Sequence, residues 1–162
     1  MDERDLRLFL RSHIENESID NLGACDKEWL DDVTDSWLND KTNSKWRYEN
    51  INHYKSTRAL SKETRIHDMA CGFSTFVFYG LLNGLDLWGI DRQGWKLQFN
   101  RLKCDWYGYP SNWKSRFIHA VGEALPFPNV QFDFVSSYQT LEHVQNVEGC
   151  ISDMMRVSSL GV

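Results

Sequence analysis

From Thr64 onward the sequence alternates between short apolar strands and amphipathic helices, and this alternation constrains the fold of the 162-residue chain more than any other feature. "TRIHDMA" reads as a first strand, "STFVFYGLLNG" as a helix stopped by Asn83 and Gly84, and "LDLWGID" as a second strand. "GWKLQFNRLKCDWYG" predicts the next helix, "YGYPSNW" a loop, "RFIHAVG" a third strand and "FDFVSSYQ" a fourth. "VEGCISDMMRV" closes the series as a helix with Val147, Cys150, Ile151 and Met154 on one face. Strands separated by helices are joined by right-handed crossovers and so lie parallel, which gives an α/β fold with ligands bound at the carboxyl ends of the strands.

The first sixty residues have a different character. Leu6, Phe9, Leu10 and Ile14 recur at helical spacing, as do Trp29, Leu30, Val33, Trp37 and Leu38, with Asp26 as N-cap of the second run and "GAC" as the break between them. "SKWRYENINHYKSTRAL" reads as a helix or a helix and loop. The expected division is a helical arm or cap over 1–60 and an α/β core over 61–162, within a length that suits one ordinary domain.

A formal net charge of −5 disfavours capture of long nucleic acid; Arg92 to Arg116 is locally basic and reads either as a solvated helix beside an acidic arm or as a surface for an anionic substrate such as a nucleotide-sugar or phosphate. Tyr138, Trp88, Trp95, Trp106 and Trp113 are read as core or rim packing rather than base-stacking platforms. The four cysteines form no C-x-x-C pair and the five histidines no H-x-x-x-H spacing, so no metal site is expected and free thiols in a reducing compartment are. With no long apolar run and an acidic start, "MDERDLRLFL", the expectation is a cytoplasmic protein with no membrane contact.

The turn after the first strand, "RIHDMACGFSTF", carries the first chemical signal. A polar ligand must reach the amides at the start of the following helix, and Gly72 allows the closest approach. Ala70 adds one methyl, and Ser74 is expected to cap the helix. Dinucleotide binding calls for G-x-G-x-x-G, whereas Ala70 to Thr75 reads A-x-G-x-x-T, which argues against a nicotinamide cofactor. Asp91 ends the second strand, where a carboxylate accepts both hydroxyls of a ribose; the competing reading is a helix-capping aspartate.

Taken in order, "IHDMACGFS", "LWGIDRQ", "GEALPFPNVQFDFVSSYQTLEHV" and "MMRVSSLGV" resemble the class I S-adenosylmethionine-dependent methyltransferases, of the methyltransferase type 11 kind, from Arg65 to the C-terminus. The resemblance implies a Rossmann-like three-layer sandwich and S-adenosylmethionine as cofactor. It implies that Asp68, Ala70 and Gly72 lie against the methionine part, that Asp91 holds the ribose, and that Arg92 lies beside the adenine. Gly122 and Glu123 would border the adenine, and Ser137, Tyr138 and Gln139 would lie below the sulfonium. Relatives often carry an aspartate where this chain has Val121. His143 in "LEHV" is the candidate base, with a supporting role in the fold as the competing reading for it and for Glu142.

The implied reaction is in-line methyl transfer to a small-molecule or sugar-type acceptor. The alternative is a catalytically silent cofactor-binding or scaffold domain. In the family the sheet continues beyond "RVSSLGV", so the sheet is expected to be incomplete there. An open central strand would expose an aggregation-prone edge, so the expectation is either cover from the N-terminal arm, a homodimer or another partner, or low solubility.

Overall fold

The computed structural model of the protein describes residues 2–22, 27–38 and 62–162. The readings at Asp26, at 23–25 and at 44–60 lie outside them, as does the boundary drawn between 60 and 61. Helices α1 (Glu3–Leu22) and α2 (Lys27–Leu38) come first. The core then runs β1 (Arg65–Met69), α3 (Thr75–Leu82), β2 (Asp86–Asp91), α4 (Gly94–Tyr107), a 3-10 turn (Ser111–Arg116) and β3 (Phe117–His119). It ends with β4 (Phe132–Ser137), a second 3-10 turn (Leu141–His143), α5 (Val147–Val157) and β5 (Ser158–Gly161).

All strands pair in parallel, in the order β3-β2-β1-β4-β5. The chain builds outward from β1 to β3, then returns to the other side of β1 for β4 and β5. That reversal leaves a crevice between the loops leaving β1 and β4, the place where open α/β sheets hold ligands.

Both faces of the sheet are covered, which is why its strands read as nearly continuous apolar runs. On one face Val77 and Phe78 of α3 and Leu97 and Cys104 of α4 bury against Ile66, Leu87 and Phe117. On the other, Cys150, Met154 and Val157 of α5 meet Met69, Ile90, Phe132 and Val135. Each fully buried apolar side chain of this size contributes roughly 1.5–3 kcal/mol. Val147, read as part of the α5 stripe, lies in the helix's first turn and is exposed; the buried stripe begins at Cys150. Gly108, in the left-handed region at φ 67, stops α4.

A third cluster joins the N-terminal helices to this core. Leu6, Leu10 and Ile14 of α1 and Leu30 and Leu38 of α2 bury against Phe99 of α4 and Phe73 of the loop after β1. Arg7 pairs with Asp35 and Arg11 with Asp31 across the α1–α2 seam, and Tyr107 Oη donates to the Leu38 carbonyl at 2.9 Å. The helices therefore sit beside the carboxyl ends of the strands.

Two local expectations are corrected. The sequence reading assigns no strand after α5 and looks to the N-terminal arm or another subunit to cover the open side, yet Ser158 pairs with Phe132 and Gly161 with Phe134, so β5 lies beside β4. The chain leaves α5 directly alongside β4, whose ladder replaces the helical hydrogen bonds, and four residues are too few for strand alternation to show. "YGYPSNW" is a loop only in its first half. Pro110, at φ −52, starts the 3-10 turn Ser111–Arg116, and Lys114 and Arg116 pair there with Asp105 and Asp86.

Candidate functional site

The loop after β1 is held in an uncommon backbone shape. Ala70, Gly72 and Ser74 all lie in the left-handed region, at φ 59, 52 and 57. Such a conformation costs an L-residue on the order of 1–2 kcal/mol, so Ala70 and Ser74 need compensation. It comes from a set of tethers: Cys71 N donates to the Ile90 carbonyl at 2.7 Å, Ser74 N to the Cys71 carbonyl at 2.7 Å, and Gly72 N to Asp91 Oδ2 at 2.9 Å. The buried Asn100 of α4 adds Nδ2 bonds to the Gly72 carbonyl at 2.8 Å and to Ser74 Oγ at 2.6 Å.

Ser74 occupies the N-cap position of α3 but makes no side-chain cap, contrary to expectation. Its left-handed backbone departs from the extended geometry in which a hydroxyl reaches the helix amides. The hydroxyl instead donates to Cys71 Sγ at 3.1 Å. Burial, reinforced by the nearby carboxylate of Asp68, pushes the Cys71 thiol well above its ordinary range, so it stays protonated and serves packing.

Asp91 combines the two readings offered for it. It is 6% exposed; Oδ2 accepts from Gly72 N, and Oδ1 accepts from Gln93 N at 2.7 Å, at the N-cap position of α4. One carboxylate thus fixes the loop after β1 to the loop after β2, and each oxygen retains a further lone pair.

Around these loops lies a cleft of about 1520 Å³. Ala70, Gly72, Asp91 and Arg92 line it from the ends of β1 and β2, and Gly122 and Glu123 from the segment after β3. Tyr138, Gln139 and His143 line it from the segment after β4. Asp68 and Ser137 are not among the lining residues. Asp68 accepts from Ser136 Oγ at 3.0 Å and so links β1 to β4, while Ser137 Oγ is buried with no hydrogen-bond partner among the described residues. His143 stands at the rim with a side chain 74% exposed, its Nε2 3.9 Å from Glu142.

Space as well as backbone shape specifies the glycines here. A Cβ at Gly72 would meet nothing within 4 Å, so the chain is open to the cleft. At Gly122 a Cβ would come within 2.5 Å of Cys150 Sγ and 2.7 Å of Met69 Sδ, which seats this segment directly on the core. The segment is also clamped by α5. Arg156 donates to the carbonyls of Phe127 at 2.7 Å and Leu125 at 3.0 Å while pairing through two nitrogens with Asp153, which accepts from Leu125 N. That pair holds the Asp153 carboxyl below its ordinary range. Replacing Arg156 with methionine, which keeps the stem, should lower stability by about 1–2 kcal/mol and weaken ligand binding beside Gly122. Chemical denaturation and calorimetric titration check the two effects.

The sequence reading missed the opposite wall. His13, Asn16 and Glu17 of α1, Trp37 of α2, Phe73, and Trp95 and Lys96 of α4 also line the cleft. Trp95 reads from the sequence as packing and Lys96 as part of the basic run Arg92 to Arg116; for His13 the signal is position alone, since it immediately precedes the buried Ile14 and so flanks the apolar stripe. Trp88 and Trp113 pack against the sheet clusters, as expected, whereas Trp95 combines packing with a place in the cleft.

The donor set fits a nucleoside-type cofactor: an anchored carboxylate at a strand end, with a spare lone pair on each oxygen, and an open glycine beside it. Among the described residues no three His, Cys, Asp or Glu side chains gather to hold a metal ion, and no helix is long and apolar enough to cross a membrane.

Comparison with known proteins agrees on the fold. No curated protein matches the chain. YcgJ from Bacillus subtilis superposes with a TM-score of 0.59 at 18% identity over 69% of this chain and 47% of its own. PH0226 from Pyrococcus horikoshii OT3 gives 0.61 at 19% identity over 85% of this chain and 64% of its own. The [4+2]-cyclase SpnF gives 0.58 at 18% identity, with 68% of this chain and 40% of its own covered. The chain spans less than two thirds of the length of each of these. A family profile described as a methyltransferase domain matches residues 67–161, from β1 to β5, across the loops that build the cleft. That match takes in more than half of the sequence, and the chain belongs to the methyltransferase domain family.

Proposed function

We propose that the chain binds S-adenosylmethionine in the strand-end cleft and transfers its methyl group to a small-molecule or sugar-type acceptor by in-line displacement. The anchored Asp91 carries this reading: held by the amides of Gly72 and Gln93, its carboxylate is preorganised to accept a ribose diol. Bound there, the cofactor supplies a methyl group on a sulfonium, already activated for transfer. Gly72 lets the ligand approach the backbone, with Ala70 beside it and Asp68 supporting the strand end. Gly122 and Glu123 border the base with Arg92 nearby, and because Val121 offers no side-chain acceptor, the backbone reads the base edge. Tyr138 and Gln139, which line the cleft, serve the methionine end, and Ser137 supports them at the end of β4. The protein's remaining task is to orient the acceptor and exclude water, which accounts for much of the rate in such displacements. Three free, buried cysteines among the described residues suit a cytoplasmic setting.

Calorimetric titration tests the reading. S-adenosylmethionine and S-adenosylhomocysteine should bind in the micromolar range and NAD should not, since Thr75 stands where a dinucleotide loop needs its last glycine. No binding of either sulfur ligand at millimolar concentration overturns it. The second reading is a catalytically silent cofactor-binding domain completed by a homodimer or partner. It draws on β5, an edge strand among the described residues, with Leu160 at 65% exposure and Val162, the residue after the strand, at 59%. Cofactor binding without transfer of labelled methyl to any acceptor, together with a dimer in solution, would favour it.

A further inference from the structure

The two sides of the cleft differ in chemistry. Asp91, Gly72, Gly122 and Glu123 contribute polar lining, whereas α1, α2, α4 and Phe73 of the loop after β1 contribute a run of rings beside Asn16, Glu17 and Lys96. His13 stacks on Trp95 at 5.1 Å and 21°, Trp95 meets Phe73 edge-on at 5.6 Å, and Phe73 lies 4.4 Å from Trp37. Lys96 Nζ lies 5.4 Å from the Phe73 ring centre and 5.6 Å from that of Trp95. This cation is held by aromatic faces, with no carboxylate at ion-pair distance among the described residues.

His13 is the chemically capable member of this wall. Its Nδ1 lies 2.8 Å from the Phe9 carbonyl, an oxygen that can only accept, so Nδ1 carries the proton. In the neutral ring Nε2 then holds the lone pair, and among the described residues nothing bonds to it. The stack on Trp95 and the bond to Phe9 fix the ring's orientation. His143, by contrast, is mostly in solvent at the rim.

We propose that this wall is the acceptor subsite, that it takes a planar aromatic hydroxyl compound, and that His13 Nε2 is the base. The inference rests on the cofactor reading above. The rings offer apolar, flat contact, Lys96 favours an oxygen on which negative charge develops, and Nε2 receives the hydroxyl proton. As the oxygen–methyl bond forms, the carbon–sulfur bond of the sulfonium breaks and its electron pair stays on sulfur. The titratable and charged side chains that share the cleft with His13 are Glu17 of its own helix, which accepts from Gln93 Nε2, Asp91 and Arg92 at the end of β2, Lys96 of α4, Glu123 after β3 and His143 at the rim, while α2 contributes Trp37.

The test begins with histidine-labelled full chain saturated with S-adenosylhomocysteine and followed by NMR. Catechol should shift the His13 side-chain resonance and saturate in the millimolar range or below; glucose should leave it unmoved. Given S-adenosylmethionine, the native chain should methylate a catechol oxygen with an acidic limb in its pH–rate profile. His13→Phe keeps a ring on Trp95 and His13→Gln keeps a polar tip. Both should bind S-adenosylhomocysteine as the native chain does, transfer methyl at least 100-fold more slowly, and lose the acidic limb, the scale expected of general-base loss. A silent His13 resonance, a response to glucose instead of catechol, no methyl on catechol, or unchanged transfer in the variants overturns the proposal. Failure to bind S-adenosylhomocysteine, seen before catechol is added, overturns the cofactor reading itself.

Discussion

Replacing Asp91 with alanine should weaken S-adenosylhomocysteine binding by well over tenfold, a loss above about 1.4 kcal/mol, and should also destabilise the free protein. On the proposed cofactor reading, the first effect follows from removing the acceptors for a ribose diol. The second follows from geometry: the same carboxylate takes the Gly72 amide at 2.9 Å and the Gln93 amide at 2.7 Å, and alanine leaves both without their partner. Unmet buried donors cost about 1–3 kcal/mol each, lower where water can reach them, as it can from the cleft. The strained backbone at Ala70 and Ser74 loses one of its tethers at the same time. Calorimetry on the folded variant, with denaturant unfolding beside it, separates the two losses. The Asp91→Asn variant retains one acceptor oxygen and should fall between the native chain and the alanine variant. An alanine variant that unfolds as the native chain does and binds within twofold of it would remove Asp91 from the site.

His67 gives the second large effect, and it acts on stability. It lies in β1, fully buried, stacked 5.0 Å from Phe132 and edge-on 5.1 Å from Phe127. Neither ring nitrogen makes a hydrogen bond of normal geometry among the described residues. Burial pushes its pKa down from 6.5 to about 4, with the backbone of Trp88 opposing weakly. Above pH 6.5 the ring is neutral folded or unfolded, and its contribution is constant. Between 6.5 and 4 the unfolded chain takes up a proton that the folded chain refuses, so stability falls with pH and is lost through the folded value. The loss approaches about 3 kcal/mol near pH 4, an order-of-magnitude figure. His67→Leu, similar in volume, should remove that dependence and be more stable than the native chain at pH 4.5, because its side chain has no polar atom to leave unmet. Urea midpoints across this range check it; parallel slopes for the two proteins would show that His67 is not the group responsible.

The sheet and its crossover helices were legible because their signals are periodic and local. β1, β2 and β4 read as strands from their apolar runs, and α3 and α4 end where Gly84 and Gly108 stand. Gly72 and Asp91 were legible for another reason: a strand-end loop and the next strand's last residue stay adjacent in any parallel βαβ unit. The support around them was not. Asn100 lies mid-helix and Arg156 in a helix's last turn, and nothing in their neighbours says that one ties the loop after β1 and the other the segment after β3. The aromatic wall was illegible for the same reason at larger scale. Periodicity shows that α1 has a buried stripe of Leu6, Leu10 and Ile14, but only docking against Phe99 decides that His13, beside the stripe, meets the cleft. The short β5 escaped because its ladder partner, not its composition, makes it a strand.

The position of β1 at the centre of the sheet has a consequence in time. One of its sides is satisfied early, since Ile66 meets Leu87 just beyond α3, but its other side waits for Phe134. Closing so long a loop is entropically slow, so pairing with β4 should be a late step of folding. During synthesis, which proceeds from the N-terminus, that side of β1 stays open until residues 132–137 have emerged. Tyr138 and Gln139 follow directly on β4, so the cleft is complete only once this pairing is made. A cofactor analogue added during refolding should therefore bind only after β4 has docked, which makes the binding signal a clock for the last long-range step.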